Sequence, residues 1–440
     1  MEYLPNVLFS IALVFGVGFF SRNVKKLSRN IKLGKKVDVS DNRPERFKNM
    51  ARIALGQTKM VVRPIAGLLH IIVYLGFVII NIEVLEIIVD GIFGTHRIFA
   101  FLGPAYDFLI ASFEILALLV IIAVVVFWFR RNAIKLQRFL KPEMKGWPKS
   151  DANWILYIEL ILMTLFLTMN ASDYQLQQLG AEHYERAGAF PVSQFLTPLF
   201  NDMSVQYLVL IERGTWWLHI LGILFFLNYL YYSKHLHILL AFPNTYYGKV
   251  KPPGQFNNVE SVTTEVKLML DPSADPFAAS TEDTEEPEKF GASDVMDLNW
   301  VQLLGAYTCT ECGRCTSECP ANQTGKRLSP RKIMMDTRDR LEEVGKNMDK
   351  NGGEFVTDGK QLLDDYVSRE ELWACTTCNA CVEACPVSID PLSIIMEMRR
   401  FLVMEQSAAP TELNNMMSNI ENNGAPWPYN QMDRLNWVNE

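Results

Sequence analysis

The chain has 440 residues, of which 49% are apolar and 21% are charged, and its formal net charge is −7. This length suits about two or three domains, and the composition excludes collagen, a long coiled coil, wholesale disorder and a secreted disulfide scaffold. The acidic balance argues against nucleic acid as a partner. Residues 1–241 carry nearly all the long apolar runs, whereas the remainder is polar and contains all 8 cysteines. The sequence therefore predicts two unlike halves.

The first half contains runs that are long and apolar enough to predict membrane-spanning helices, which need about 18 or more residues with few charges. There are five of them, Tyr3–Ser21, Pro64–Ile82, Phe108–Phe129, Trp154–Ser172 and Gly214–Ser233. Because no basic residue precedes the first run, a membrane anchor is favoured over a cleaved signal peptide. The expected fold class is an all-α membrane bundle of five spans followed by a helix-rich ferredoxin-like domain.

Basic residues concentrate in loops 22–63 and 130–149, whereas loops 92–106 and 173–202 hold almost none. Short basic loops stay in the cytoplasm, so the N-terminus is predicted outside and the second half inside a bacterial-type inner (plasma) membrane. This location would keep the thiols reduced.

The expected domains are a five-span membrane domain over residues 1–245 and a cysteine-containing domain over 296–405, with a tail at 406–440. The segment between them, 246–295, is rich in Pro, Ser, Thr and acids. Such a composition predicts a flexible acidic linker, and the alternative is an acidic segment that docks a partner.

All the cysteines fall into two copies of a C-x2-C-x2-C-x3-C-P pattern. In bacterial ferredoxins, three closely spaced thiolates of such a run bind one 4Fe-4S cluster and the fourth binds the other. The pattern therefore predicts two clusters, the first held by Cys309, Cys312, Cys315 and Cys385 and the second held by Cys375, Cys378, Cys381 and Cys319. Structural zinc is the alternative, but zinc ribbons use two cysteine pairs rather than two complete runs. The chemistry expected of this half is one-electron transfer.

Histidines in the membrane half predict a second kind of cofactor. His70 lies on the cytoplasmic side of the second span, at a depth similar to that of His237 at the inner end of the last span. Two imidazoles that face each other in a bundle are the axial-ligand pattern of a b-type haem. The alternative is that each histidine only forms hydrogen bonds within the bundle. We expect one or two haems, with His70 and His237 as the ligands of the inner one.

A second haem would use His219, in the outer half of the last span. His219 and His237 lie five full turns apart on the last span and share a face, whereas His235 points to the other side of the helix. The second span offers Ile80 instead of a histidine as a partner for His219. His96 is the candidate, with a quinone contact or an interfacial residue as the alternatives.

The membrane half resembles the nitrate reductase gamma subunit and its relatives, the cytochrome b subunit of heterodisulfide reductase and the membrane subunit of the dissimilatory sulfite reductase complex. The similarity is carried by RPIAGLLHIIVYLGF at 63–77 and YSKHLH at 232–237. It implies that His70, His219 and His237 are haem ligands, and Ile80 departs from the family's fourth histidine.

The second half resembles the iron-sulfur domain of the heterodisulfide reductase D subunit and of glycolate or lactate oxidase iron-sulfur proteins, through CTECGRC, TGKRLSPR, LWACTTCNACVEACPV and NNGAPW. The resemblance implies menaquinone as the membrane substrate. It also implies a cytoplasmic partner with a flavin or with the cysteine-rich CCG domain of full-length members, which this sequence lacks. We expect an electron-transfer subunit of a quinone-linked oxidoreductase complex, embedded in lipid. The alternative is a membrane-tethered iron-sulfur redox sensor or assembly anchor without haem.

Four acids near the outer halves of the spans are candidate proton relays. They are Glu83, Glu86, Asp90 and Glu114. The alternative for Glu83, Glu86 and Asp90 is that they lie at solvated helix ends.

Overall fold

The computed structural model describes residues 3–252, 254–273 and 289–438, and these residues form helices and loops without a β-strand. The first half contains α1 (Leu4–Ile31), α2 (Arg43–Met50), α3 (Pro64–Phe93), α4 (Pro104–Asn132), α5 (Trp147–Gln178) and α6 (Val205–Tyr229). Among the residues described, all of these except α2 are long and apolar enough to cross a membrane, and a 3-10 turn extends α6 to Tyr232. The prediction of five spans is confirmed, and each helix begins before or ends beyond the predicted run.

Proline residues mark where the spanning helices begin. A proline occupies the first turn of α1, α3, α4 and α5, where a backbone N–H would lack an intrahelical partner in any case. The α3 helix ends at Gly94, whose left-handed φ of 75° lets its N–H bond the Asp90 carbonyl. Local sequence therefore sets most of these boundaries.

The last span does not continue to His237. Ser233 has an extended backbone (φ −114°, ψ 148°), and a 3-10 turn at Lys234–Leu236 leads into a separate helix, α7 (His237–Tyr247). The Asp151 carboxylate on α5 accepts hydrogen bonds from the Lys234 N–H (3.1 Å) and the Tyr229 hydroxyl (2.6 Å), which stabilises the break. The argument that His219 and His237 share one face of a continuous helix is therefore wrong.

The remaining helices are α8 (Glu260–Leu270), α9 (Trp300–Thr308), α10 (Arg314–Glu318), α11 (Pro320–Gln323), α12 (Pro330–Lys350), α13 (Leu362–Asp365), α14 (Arg369–Trp373), α15 (Ala380–Ala384), α16 (Pro391–Arg400) and α17 (Thr411–Asn423). The α8 helix lies in the expected linker. Ala292 and Val295, at the C-terminal end of that linker, are buried in the core. Most of the acidic stretch, residues 274–288, lies outside the described residues. The described parts of the segment are thus more structured than its composition predicts.

The two halves pack directly on each other. One buried apolar cluster joins Leu27 of α1 to Leu303 of α9 and Leu341 of α12. Beside it the Asn30 side chain donates to the Tyr307 hydroxyl at 3.0 Å. A Cβ at Gly345 would stand 2.5 Å from the Asn30 amide, so α12 can approach α1 this closely only with glycine there. The shared core fixes the cysteine-containing half on one end of the bundle.

Both basic loops lie at this end of the bundle. Arg63 pairs with Glu318 at 2.8 Å, and Lys141 donates to Asn322 at 2.9 Å. The structure thus places the loops and the cysteine-containing half together, as the loop charges predict. Which side of a membrane they face remains a prediction.

Candidate cofactor sites

The two cysteine loops share one backbone conformation. Glu311 and Gly313 have φ values of 53° and 71°, and Thr377 and Asn379, at the equivalent positions, have 56° and 62°. Such left-handed residues turn successive backbone N–H groups toward one point, an arrangement that binds anionic groups including iron-sulfur clusters. At Gly313 a Cβ would stand 2.4 Å from the Arg331 guanidinium, so this position requires glycine. The loops are therefore two copies of one structural unit.

Each loop is followed by a short helix, α10 or α15, that ends at the fourth cysteine of its motif. The structure brings that cysteine to the other motif's cavity. A cavity of about 350 Å³, including its open mouth, is lined by Cys309, Cys312, Cys315 and Cys385. A second cavity, of about 320 Å³ and also including its open mouth, is lined by Cys375, Cys378, Cys381 and Cys319. This is the partition that the spacing predicts, and four thiols around one cavity are the donor set that a 4Fe-4S cluster requires.

Burial disfavours the thiolate form of these cysteines when no metal is bound. It raises the pKa of Cys309 to about 12 and that of Cys385 to about 11. A bound cluster must therefore displace protons from them, because the thiolate is the metal ligand. The Ile389 N–H donates to the Cys385 sulfur at 3.3 Å, and the Thr377 N–H donates to the Cys375 sulfur at 3.4 Å. Both bonds favour negative charge on sulfur.

The two cavities differ in their surroundings. Glu311, in the loop of the first cavity, is 3% exposed and forms ion pairs with Lys234 and with Arg338, the latter at 2.7 Å. Although burial opposes its ionisation, these two cations hold the pKa of the Glu311 carboxyl below its usual value. Lys234 belongs to the turn between α6 and α7, so the first cavity adjoins the membrane half. The second cavity includes Cys378, which is exposed.

His70 and His237 lie together at the end of the bundle that contacts the cysteine-containing half. Their ring centroids are 6.3 Å apart with an interplanar angle of 42°. Two imidazoles that ligate one metal from opposite sides need about this separation, since each metal–nitrogen bond is about 2 Å long. His237 Nδ1 is 3.1 Å from the Lys234 carbonyl oxygen, a bond that leaves Nε2 free as a metal ligand. His70 Nδ1 is buried without a hydrogen-bond partner. The spacing of the two rings agrees with the prediction that both would ligate one metal, and haem itself stays a prediction.

His235 lies next to this pair but has a different contact. Its Nε2 is 3.7 Å from a carboxylate oxygen of Glu159, and its ring packs at 5.3 Å on Phe226. Its distance from the His237 ring, 5.4 Å between centroids, is nevertheless short. His235 was expected on the opposite side of a continuous helix from His237, and the break at Ser233 removes that argument.

The histidines predicted for an outer haem are not brought together. His219 Nδ1 is 3.0 Å from the Leu162 carbonyl, whereas His96 Nε2 is 3.6 Å from Asp173. No ring contact or hydrogen bond joins His96 to His219 within the described part of the chain. Ile80 belongs to the same buried apolar cluster as Trp216.

A buried polar network at the opposite end of the bundle was missed from the sequence. Arg97 donates to Asp173 (2.5 Å), Asn170 and the Tyr106 hydroxyl (both 3.1 Å), and Tyr106 donates to Glu86 at 2.9 Å. The available signal was that Arg97 is a lone arginine in a loop with almost no other basic residue.

The four acids named as proton relays have unequal surroundings. Glu86 belongs to the Arg97 network, and Asp90 accepts the Arg97 N–H at 2.8 Å. Glu114 accepts the Val192 and Ser193 N–H groups at 2.8 and 3.1 Å, so it anchors an outer loop. Glu83 is buried, and its Oε2 has no hydrogen-bond partner among the described residues.

Residues 308–389 match the family described as "4Fe-4S dicluster domain", which covers both cysteine motifs. This part of the chain is therefore a 4Fe-4S dicluster domain at the C-terminal side of a bundle of five apolar helices. The match agrees with the cavities and disfavours structural zinc.

Similar proteins are iron-sulfur oxidoreductases. The chain is 27% identical to the probable iron-sulfur-binding oxidoreductase FadF of Bacillus subtilis, over 99% of this chain and 61% of the relative. It is 28% identical to the EtfAB:quinone oxidoreductase of Syntrophomonas wolfei, over 100% of this chain and 60% of the relative. Over 34% of this chain and 37% of the relative, it is 28% identical to the D subunit of a dihydromethanophenazine:CoB–CoM heterodisulfide reductase of Methanosarcina mazei. The chain thus spans about 60% of the length of the first two relatives. No solved structure matches.

These relatives confirm the resemblance of the second half to heterodisulfide reductase proteins and extend the similarity to iron-sulfur oxidoreductases along the whole chain. The similarity to the nitrate reductase gamma subunit, and with it haem, remains a prediction.

Proposed function

We propose that this protein carries electrons between a cytoplasmic redox partner and the menaquinone pool, through two 4Fe-4S clusters and haem b. The observation that carries the proposal is a continuous set of contacts between the two kinds of site. Glu311, in the first cysteine loop, pairs with Lys234, and the Lys234 carbonyl oxygen is bonded to His237 Nδ1. A cluster site and a haem-ligand pair are thus neighbours in one structure.

The chain's own side chains would hold three redox groups. The thiols of Cys309, Cys312, Cys315 and Cys385 would bind one cluster, and those of Cys375, Cys378, Cys381 and Cys319 the other. His70 and His237 would ligate one haem. When bound, these groups supply one-electron transfer, which joins a two-electron partner to a two-electron quinone. We propose a single haem, because His219 and His96 have separate contacts.

The surroundings of the two cavities support an order for the route. The exposed Cys378 places the second cavity where a soluble partner can approach. The first cavity adjoins the membrane half through Glu311 and Lys234. We therefore assign the second cavity to the partner and the first to the haem-ligand pair. The Syntrophomonas relative is named EtfAB:quinone oxidoreductase. That name supports a protein partner at one end of this route and a quinone at the other.

The protein would be the electron-transfer subunit of a membrane oxidoreductase complex. Its first helix would begin outside a bacterial inner membrane, and the iron-sulfur half would lie in the cytoplasm, because that half contacts both basic loops. A flavin-containing or CCG-domain subunit is the proposed partner, and the direction of electron flow is set by that partner's potential.

The test is the redox content of the full chain purified in detergent. We expect b-type absorption bands after dithionite reduction, one haem per chain, and about eight irons in clusters beyond haem iron. Added menaquinone should then reoxidise the reduced protein. Clusters without haem, and no reoxidation by quinone, would contradict the proposal and favour a membrane-tethered redox sensor.

A further inference from the structure

An apolar groove runs along the surface between α5 and α6, on the inner half of the bundle. It has a volume of about 1110 Å³ including its open mouth. Its aromatic lining residues are Trp147, Trp154, Phe225 and Tyr229, and aliphatic side chains such as Leu162 and Leu218 line the rest. The shape and composition suit a flat ring with a long apolar tail, because ligand sites are mainly apolar with a few placed polar groups.

One end of this groove carries the Tyr229 hydroxyl. There the Tyr229 hydroxyl donates to Asp151 at 2.6 Å, and Asp151, which is 2% exposed, also accepts the Lys234 N–H at 3.1 Å. The Lys234 carbonyl is in turn bonded to His237 Nδ1 at 3.1 Å. In this orientation the Tyr229 oxygen can accept a hydrogen bond from a quinol hydroxyl, and a hydroxyl turned from Asp151 toward the groove would donate to a quinone carbonyl. Three hydrogen bonds thus link Tyr229 to the proposed haem ligand His237, and a head group bound to Tyr229 would add a fourth.

Glycine at position 222 keeps the groove open. A Cβ at Gly222 would stand 2.8 Å from a methyl carbon of Leu162, and a larger side chain would project into the space between α5 and α6. Gly214, two turns earlier on α6, has no atom within 4 Å of such a Cβ. The two glycines therefore offer a matched pair of substitutions.

We propose that this groove binds the isoprenoid quinone, with its ring at the Tyr229 and Asp151 end and its tail between α5 and α6. The inference rests on the proposed function and gives it a substrate site. Reduction of a bound quinone takes two electrons, delivered through the redox groups of the chain, and two protons from the aqueous phase on the side of the basic loops. Oxidation of the quinol releases the same electrons and protons. Because quinone meets the chain at its inner end, turnover should not move charge across the whole membrane.

The experiment measures reoxidation of the dithionite-reduced holoprotein by two probes, menaquinone-4, which has a tail, and menadione, which lacks one. Gly222→Leu should raise KM for menaquinone-4 by about tenfold or more and change KM for menadione less, since the tail occupies the narrowed part. Gly214→Leu is the control and should match the wild type with both probes. Tyr229→Phe should raise KM for both probes, because it removes the hydroxyl from the ring end. Haem and cluster spectra should be unchanged in all three variants.

The outcomes separate this inference from the proposed function. If wild-type protein is reoxidised and Gly222→Leu behaves like Gly214→Leu, the groove holds only lipid chains and the inference is wrong, while quinone reactivity stands. If neither quinone reoxidises the wild type, the proposed function fails. In that case, cross-linking of a photoactivatable naphthoquinone to α5 and α6 would still decide whether the groove binds the ring, and labelling elsewhere would overturn the inference.

Discussion

The two halves of the molecule assemble their candidate ligand sets in different ways. In the iron-sulfur half, three of the four cysteines around each cavity come from one short loop and the first turn of the helix that follows it, and the fourth comes from the end of the helix after the equivalent loop. In the membrane half, His70 and His237 come from helices far apart in the chain, and the break at Ser233 positions one of them. A ligand set within one short segment can be predicted from the spacing of its residues in the sequence. A ligand set between distant helices depends on how those helices pack.

The largest expected effect concerns the crossed fourth thiol. Cys385→Ser should remove the cluster at the first cavity and leave the other, so cluster iron should fall from about eight to about four atoms per chain. Its electron paramagnetic resonance spectrum should then match that of Cys312→Ser. Cys319→Ser is the mirror-image control and should match Cys378→Ser. If Cys385→Ser instead resembles Cys378→Ser, each motif binds its own cluster and the crossed partition is wrong.

The second prediction concerns the histidine pair between distant helices. His237→Ala should abolish the b-type haem bands, because it removes one of two axial ligands, while both clusters remain. His235→Ala is the matched control, since this residue contacts Glu159. Pyridine haemochrome assays on both variants give the haem content. Loss of haem in His235→Ala, with retention in His237→Ala, would show that the wrong histidine of the turn has been assigned.

The third prediction compares buried and exposed ion pairs in the iron-sulfur half. Arg340 is fully buried and pairs with Asp294 at 2.8 Å and Asp358 at 2.5 Å. Arg340→Met leaves two partly buried carboxylates without their cation, so we expect a loss of about 3–5 kcal/mol in unfolding free energy. Denaturant titration followed by cluster absorption gives the value. Arg327→Met, which removes an exposed pair with Glu370, should cost less than about 1 kcal/mol. Equal losses would contradict the buried role of Arg340.

The fourth prediction concerns acid. Hydrogen bonds from Arg340 lower the pKa of Asp358 below its usual value of 3.8. A carboxyl whose folded-state pKa is depressed contributes stability above its unfolded pKa, and this contribution is lost as the pH falls through the folded value. On acidification below about pH 4, the wild type should therefore lose stability faster than Asp358→Asn does. Parallel curves for the two proteins over this range would show that the carboxylate has no such role.

The smallest expected effect on stability concerns an exposed ion pair at the edge of the contact between the two halves. Asp349 of α12 pairs with Lys26 at 2.7 Å and also with Arg29, and its side chain is 32% exposed. Because exposed ion pairs are weak, Asp349→Asn should lower the unfolding free energy by only about 0.2–1 kcal/mol. Leu341→Ala in the shared apolar core should cost about 2–5 kcal/mol in the same assay. A larger effect at Asp349 than at Leu341 would mean that charge rather than apolar packing holds the halves together.

Much of the fold follows from the sequence because its signals are local. Runs of apolar residues marked the spans, and Pro64 marked where one of them begins, whereas α4 begins at Pro104, before the predicted run. The fold of residues 246–295 was less predictable, since their acidic composition gave no sign that Ala292 and Val295 are buried in a core made with distant helices. The Arg97 network was also hidden, because nothing near Arg97 in the chain indicates that Asp173 and Asn170 will surround it.

The sequence by itself determined the number of apolar helices, the two cysteine motifs and the partition of their thiols between two cavities. Each of these depends on spacing within a short segment, where backbone geometry leaves few alternatives. Only the tertiary structure decided that α6 ends before His237, that the His237 ring comes to 6.3 Å from His70, and that Glu311 and Lys234 join the halves. The reason is physical: Asp151, buried on another helix, accepts the Lys234 N–H at the break, and a hydrogen bond between distant segments leaves no periodic trace in the chain.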